Sequence, residues 1–353
     1  MSNRDKLLAS IADIIKDYRD GEIKKPTPEH VNRWVQQFSE DIQIPLLTEV
    51  EHVFQYTYFS KKDVEEYFAD LNNNEQIAGK NPGLFWEKAN LLNIQQHGHS
   101  QSEILTLFGK CLKTQCGISL EDCGSQDGAF IYFDDVLFSG TRIGSDLKAW
   151  IQQQAPDNSI VKIIVIGAYK LGEWQCIEGL KKASTNAGKS ITFEIWAAFR
   201  FENRKRYKNV SEVLWPAYLP DDADLADYVA QENKYPFEPR LPGGTLRHKI
   251  FSGENGRQIL ERELLLAGTH IRSGCQSPKP TMRPLGFGYF GLGFGATIVT
   301  YRNCPNNCPL ALWWGDSEVT SGPFHWYPLL PRKTYEQPFD LYDQCDWTEL
   351  WTS

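Results

Sequence analysis

The stretch Phe130-Ile-Tyr-Phe133-Asp134-Asp135-Val136-Leu137-Phe138-Ser139-Gly140-Thr141-Arg142 decides how this chain is read. Its opening, Ala129 to Phe133, has the aromatic and β-branched content of a buried strand. Two acids follow, then a Ser-Gly-Thr turn. Beyond the turn, Ile143, Leu147, Trp150 and Ile151 recur at i, i+4, i+7 and i+8, the stripe of an amphipathic helix. Ser139, Gly140 and Thr141 therefore place free backbone N–H groups and two hydroxyls at a helix N-terminus, which is a ready anion site. Gly140 lets a phosphate approach the backbone closely. Asp134 and Asp135, read as the end of the strand, can accept hydrogen bonds from ribose hydroxyls or hold Mg²⁺ through water. A capped turn alone also favours Asp, Ser and Thr. The strand before this turn and the helix after it favour the anion reading.

The flanking sequence repeats the alternation. Asn90 to Ile94 is a short strand, followed by a polar loop and a helix with Ile104, Leu105, Phe108 and Leu112 on one face. Ile160 to Ile166 is a third strand. A helix around Trp174, Ile177 and Leu180 leads to a fourth strand, Ile191 to Ala198. Strands alternating with helices in this way predict an α/β fold with a doubly wound parallel sheet. Ligands of such sheets bind beyond the carboxyl ends of the strands. The loop Gln95-Gln-His97-Gly98-His99-Ser100-Gln101 occupies a second such end. Its backbone, helped by His97 or His99, suits phosphate, whereas H-x-H alone lacks the further ligands zinc needs.

Outside this core the grammar differs. Residues 1–75 read as a helical N-terminal region, and an Asn- and Gly-rich linker follows at 72–83. The α/β core is assigned to 84–215, and 216–353 to an aromatic and Gly-rich, partly β region packed on it. In that region Gly286 to Gly295 repeats glycine without a strand-turn-helix unit, so glycine packed against aromatic rings is expected rather than a dinucleotide site. Ala296 to Tyr301 reads as a strand. Cys304-x3-Cys308 has no second pair and reads as a structural turn. Arg200, Arg204, Lys205, Arg206 and Lys208 form a basic cluster that reads as a solvated face, with phosphate contact and stacking on Tyr207 as the alternative.

Composition bounds the function. The 353 residues correspond to about two domains at roughly 150 residues each. The net charge of −8 argues against nonspecific wrapping of nucleic acid, which rests on phosphate neutralisation by Lys and Arg. With 41% hydrophobic and 23% charged residues the chain is too apolar to be disordered. The longest apolar run, Ile163 to Ala168, is far short of the ~20 residues that span a bilayer, so no membrane partner is expected. The N-terminus has no apolar signal core, and the eight Cys include no CxxC pair. Reduced thiols in a cytoplasm are the expectation.

The stretch 130–142 resembles the phosphoribosyl diphosphate (PRPP) binding motif of type I phosphoribosyltransferases: an apolar strand, two acids, three residues, then Thr/Ser-Gly-x-Thr/Ser. The resemblance implies a phosphoribosyltransferase-type sheet, with Asp134 and Asp135 as the catalytic pair on the ribose hydroxyls and Mg²⁺ as cofactor. It implies Ser139, Gly140, Thr141 and Arg142 around the 5-phosphate, and His97, Gly98, His99 and Ser100 in the pyrophosphate loop. Phe138 stands where many purine-type members carry an Asp that contacts the base. Arg142 replaces the usual last hydroxyl, and 117–128 is too short for the mobile hairpin of many members. The chain is also similar to phosphoribosyltransferase-like effectors of prokaryotic conflict, or anti-phage, systems, through His30-Val-Asn-Arg-Trp34-Val-Gln-Gln-Phe38, the 95–101 loop, and Tyr301 to Asn307. That likeness implies a phosphoribosyl or nucleotide ligand and admits an operon-encoded protein or a nucleic acid as partner. It leaves open whether the pocket turns its ligand over, senses it without turnover, or serves an interaction module.

Overall fold

Four strands hydrogen-bond side by side in the order of the chain: β1 (Asn90–Leu92), β2 (Phe130–Leu137), β3 (Asn158–Tyr169) and β4 (Ser190–Phe201). This is a computed structural model, and it describes residues 2–96, 100–232, 236–289, 291–316, 318 and 325–332. β1 pairs with β2, and β2 with β3, in parallel, with Asp134 opposite Val165 and Leu137 opposite Ala168. Parallel neighbours need long crossovers. The helices of this region are α1 (Lys61–Asn72), α2 (Glu75–Ala78), α3 (Pro82–Lys88), α4 (Ser100–Cys116), α5 (Thr141–Gln153) and α6 (Lys170–Asn186). The segment expected to be a linker thus contains α2 and the start of α3.

Alternation along β2 feeds two cores. Phe133 meets Phe108 of α4 at 4.5 Å and Phe68 of α1 at 5.7 Å, while Trp86 of α3 lies 4.9 Å from Phe108. On the opposite face Tyr132 joins Leu147, Trp150 and Ile151 of α5 and Leu180 of α6. Helices therefore cover both faces, as the near-continuous apolar run of β3 requires. Each fully buried side chain of this size contributes about 1.5–3 kcal/mol.

The helix expected around Trp174, Ile177 and Leu180 is α6, and near the bend its inner face is built of small residues. Trp174 is 47% exposed, and the buried positions are Gly172, Cys176, Leu180 and Ser184. The reason is steric. A Cβ on Gly172 would collide with the Phe138 carbonyl, and one on Gly140 would lie 2.7 Å from both Cys176 Cβ and the Gly172 carbonyl oxygen. The bend after β2 and the first turns of α6 pack backbone to backbone. Small residues mark that contact, and large apolar periodicity does not.

Residues 63–200 form one compact unit, and the described residues of 1–62 and 201–333 form a second. In the second, helices Asn3–Ile14, Pro28–Val35, Glu40–Thr57 and Glu254–Ser273 bury apolar stripes. Tyr58–Phe59 pairs in parallel with Val299–Thr300, so the strand expected over 296–301 is confined to two residues. Gly286 and Gly295 abut the carbonyls of Asn307 and Leu214, and Gly291 abuts the Phe237 ring. These glycines serve turns as well as aromatic packing. Cys304 and Cys308 are buried free thiols in such a turn. The His30–Phe38 segment grips the end of the described chain. His30 bonds Tyr327 Oη and the Leu329 carbonyl, both at 2.7 Å, and Trp34 Nε1 donates to the Ala311 carbonyl at 2.8 Å. Among the described residues no helix is long and apolar enough to cross a membrane.

Gly172→Ala is expected to lower the unfolding free energy by about 2–3 kcal/mol through overpacking against the Phe138 carbonyl. Gly83→Ala, whose Cβ would meet only Asn81 Oδ1 at 3.8 Å, should change it by less than about 0.5 kcal/mol. Urea denaturation of the two variants measures the difference, and equal stabilities would refute the backbone contact.

Candidate functional site

The two acids lie inside β2, not at its end, because the ladder to β3 continues through Leu137. Asp134 is 4% exposed. Its Oδ1 accepts hydrogen bonds from Ser100 Oγ at 3.3 Å and from the Asp135 backbone N–H at 2.9 Å. Asp135 is half-buried, and its Oδ1 accepts from the Val136 N–H at 2.9 Å. Burial, reinforced by the like charge of Asp135, pushes the Asp134 carboxyl up to about 8, against the pull of the Arg142 guanidinium. The same burial, with Asp134 and Asp146 beside it, raises the Tyr132 hydroxyl further above its usual range.

Beyond Leu137 the chain bends sharply into α5. Phe138 stacks on Tyr169 with ring centroids 5.4 Å apart. Gly140 adopts the left-handed conformation, with φ +74°, immediately before the first residue of α5. Ser139 Oγ and Thr141 Oγ1 lie 3.0 Å apart, and the Thr141 N–H donates to Ser139 Oγ at 3.4 Å. Arg142 follows, exposed, in the first turn. Ser139, Gly140, Thr141 and Arg142 thus stand together at one helix N-terminus, whose amides and dipole favour an anion.

Of the residues expected in the second loop, His97, Gly98 and His99 lie outside the described residues, and Ser100 opens α4. The bond from Ser100 to Asp134 joins the two sequence motifs. The loop's flanks are held by two glutamines. Gln101 Oε1 accepts from the Ile94 and Gln95 N–H groups at 2.7 and 2.9 Å, and Gln95 Oε1 accepts from the Gln101 N–H at 2.9 Å. Sequence reasoning missed Gln95, Gln101, Tyr132 and Asp146. Asp146 carried a readable signal: a charged residue on the core-facing stripe of Ile143, Leu147 and Trp150.

The donor set is compatible with magnesium of one kind. Among the described residues no three His, Cys, Asp or Glu side chains gather into a cage. Mg²⁺ usually keeps several waters and takes one or two carboxylates plus substrate phosphates. Asp134 and Asp135 are the residues that fit this role, and the raised Asp134 carboxyl marks a buried acid that a cation would favour in its charged form.

The basic cluster is largely paired. Arg200 bonds Glu173 at 3.0 Å, Arg204 bonds Glu202 at 2.6 Å, and Lys205 and Lys208 both reach Glu238, at 2.6 and 2.9 Å. Arg204 and Arg206 lie over the Tyr207 ring at 4.4 and 4.7 Å. The cluster reads as internally compensated surface.

A family model, PRTase-CE, matches residues 31–332. No curated protein matches the chain significantly. No solved structure does so either.

The Asp134 carboxyl carries a stability signature. Folded, it keeps its proton up to about pH 8; unfolded, it releases it near the ordinary value of 3.8. Between these values unfolding releases a proton, so this group destabilises the fold increasingly as pH rises. Asp134→Asn removes that effect. The variant should match the natural chain below pH 4 and become more stable than it towards pH 8, by on the order of a few kcal/mol. Denaturant midpoints at pH 4, 6 and 8 test this, and a gap independent of pH would contradict it.

Proposed function

This chain belongs to the PRTase-CE family, which is phosphoribosyltransferase-like and associated with conflict systems, and on that premise we propose a specific chemistry for its bend. The ligand is PRPP or a related ribosyl 5-phosphate nucleotide, bound with Mg²⁺. Its 5-phosphate rests on the amides and hydroxyls of Ser139, Gly140 and Thr141, with Arg142 adding charge. Its ribose hydroxyls donate to Asp134 and Asp135. The loop ending at Ser100 receives the group attached to the anomeric carbon. The observation that carries this reading is the left-handed Gly140 between two hydroxyls 3.0 Å apart, at the start of a helix and just beyond the strand that holds the buried Asp134 and its neighbour Asp135.

The reaction is cleavage or transfer at the anomeric carbon. When bound, Mg²⁺ supplies neutralisation of phosphate charge. The chain's own groups orient the sugar and hold carboxylate charge near a ring that becomes positive as the leaving group departs. Positioning and electrostatics of this kind supply most of the rate in such transfers. In the cell the proposed role is that of an effector in prokaryotic anti-phage defence, within the cytoplasm, acting with an operon-encoded or nucleic-acid partner.

A second reading is favoured by one observation. Phe138 is committed to stacking on Tyr169, so no acid stands there to contact a base. The same pocket would then sense a phosphoribosyl nucleotide without turning it over.

Calorimetric titration with PRPP and Mg²⁺, followed by a pyrophosphate assay with a panel of bases, separates the two. The enzyme reading expects pyrophosphate release that falls by about 100-fold or more when Asp134→Asn and Asp135→Asn are combined. Tight binding without product supports the sensor, and absence of binding removes both. In a host carrying the whole operon, the same double variant should lose phage protection.

A further inference from the structure

We propose that Asp146 is a positioning residue that fixes the spacing between the segment that follows β1, at Gln95 and Gln96, and the phosphate bend at 138–141. The proposal rests on the reading above for its ligand, but its geometry stands separately.

Asp146 occupies the core-facing stripe of α5 and is 4% exposed. A buried carboxylate persists only where donors surround it. Its Oδ2 accepts from Tyr132 Oη at 2.8 Å. Its Oδ1 accepts from the Gln96 backbone N–H at 3.3 Å. One carboxylate therefore ties three elements: the helix whose N-terminus is the phosphate bend, the strand that carries Asp134, and the loop that follows β1. Tyr132 and Asp134 lie two residues apart on one face of β2, so the strut reaches the sheet beside the acid pair.

The loop flank it holds is already stiff. Gln101 Oε1 binds the amides of Ile94 and Gln95, Gln95 Nε2 donates to Ser100 Oγ at 2.8 Å, and Ser100 reaches Asp134. Fixing Gln96 against α5 thus fixes the flank as a unit. A ligand that touches only the bend would be insensitive to this strut. A ligand that spans bend and loop would depend on it, because its second contact gains only from a correct spacing.

The test compares ribose 5-phosphate, which engages one end, with PRPP, which engages both. Affinities for each, with Mg²⁺, are measured on the full chain and on Asp146→Ala, Asp146→Asn and Tyr132→Phe, alongside amide hydrogen exchange over residues 93–101. Asp146→Ala should weaken PRPP by about tenfold or more while leaving ribose 5-phosphate within about twofold. It should also speed exchange at the loop flank. Asp146→Asn, which keeps an acceptor, should recover most of the loss. Tyr132→Phe, the milder change, should shift the ratio in the same direction. Equal weakening of both ligands, an unchanged ratio, or unchanged exchange would overturn the proposal. So would a natural chain that binds PRPP no more tightly than ribose 5-phosphate, although the bend would then keep its phosphate. A natural chain that binds neither compound would overturn the proposed function; faster exchange in Asp146→Ala would still support the strut, and unchanged exchange would remove it too.

Discussion

A carboxylic acid buried within a parallel strand is the constraint around which the α/β unit is organised. Asp134 sits where an apolar side chain would be the stable choice, and its raised carboxyl shows that the protein environment disfavours its charge. Two hydrogen bonds to Oδ1, from Ser100 and from the next amide, hold the group in place without restoring its solvation. A local rule broken in this way, on a strand that apart from Asp134 and Asp135 is built of Phe, Ile, Tyr, Val and Leu, is what a functional position is expected to look like. The partners that would make the charge favourable are donors that arrive with a ligand: hydroxyl groups, or a hydrated cation.

The sequence made the α/β alternation legible because each strand and helix carries its own apolar period. It made the bend legible because Ser-Gly-Thr between strand and helix has few structural meanings. Other features escaped for identifiable reasons. The acids were placed at the strand end because polarity usually marks a strand's limit, yet here the ladder runs through them to Leu137. The buried face of α6 has no large apolar side chain to mark it near the bend, because Gly172 and Cys176 rather than Trp174 stand there. For Asp146 the sequence offers a charge on an apolar stripe but not its partners, because the Tyr132 hydroxyl and the Gln96 amide belong to distant segments. Long-range hydrogen bonding has no period from which to read it.

The helical front and the end of the described chain illustrate a second limit. His30 to Phe38 carries part of the family likeness, yet its polar side chains are used in packing. His30 and Gln37 bind the segment around Tyr327, and Arg33 lies 4.2 Å over the Tyr327 ring. In the same compact unit, Arg240 and Arg257 share the buried carboxylate of Glu261. Such networks specify how separated segments meet, and losing one partner strands a buried charge. A stretch that carries a family likeness can therefore serve to join separated segments of a chain.

Rigidity connects the fold to the proposed chemistry. The bend is pressed against α6 by two glycines and a cysteine, with Phe138 clamped between Tyr169 and the backbone of Gly172. Amides held in this way are ordered before any anion arrives, so binding incurs little further loss of conformational entropy. The same clamp constrains what can follow. A residue at position 138 whose carbonyl is packed on Gly172 and whose ring is stacked on Tyr169 has little freedom to reorient towards a base. On the proposed reading, selectivity for the group on the anomeric carbon would come from the other side of Asp134, where Ser100 and the Gln95–Gln101 clamp stand. The bend is thus fixed by packing, whereas the flank at Gln95 and Gln96 is tied mainly through side-chain hydrogen bonds to Gln101, Ser100 and Asp146.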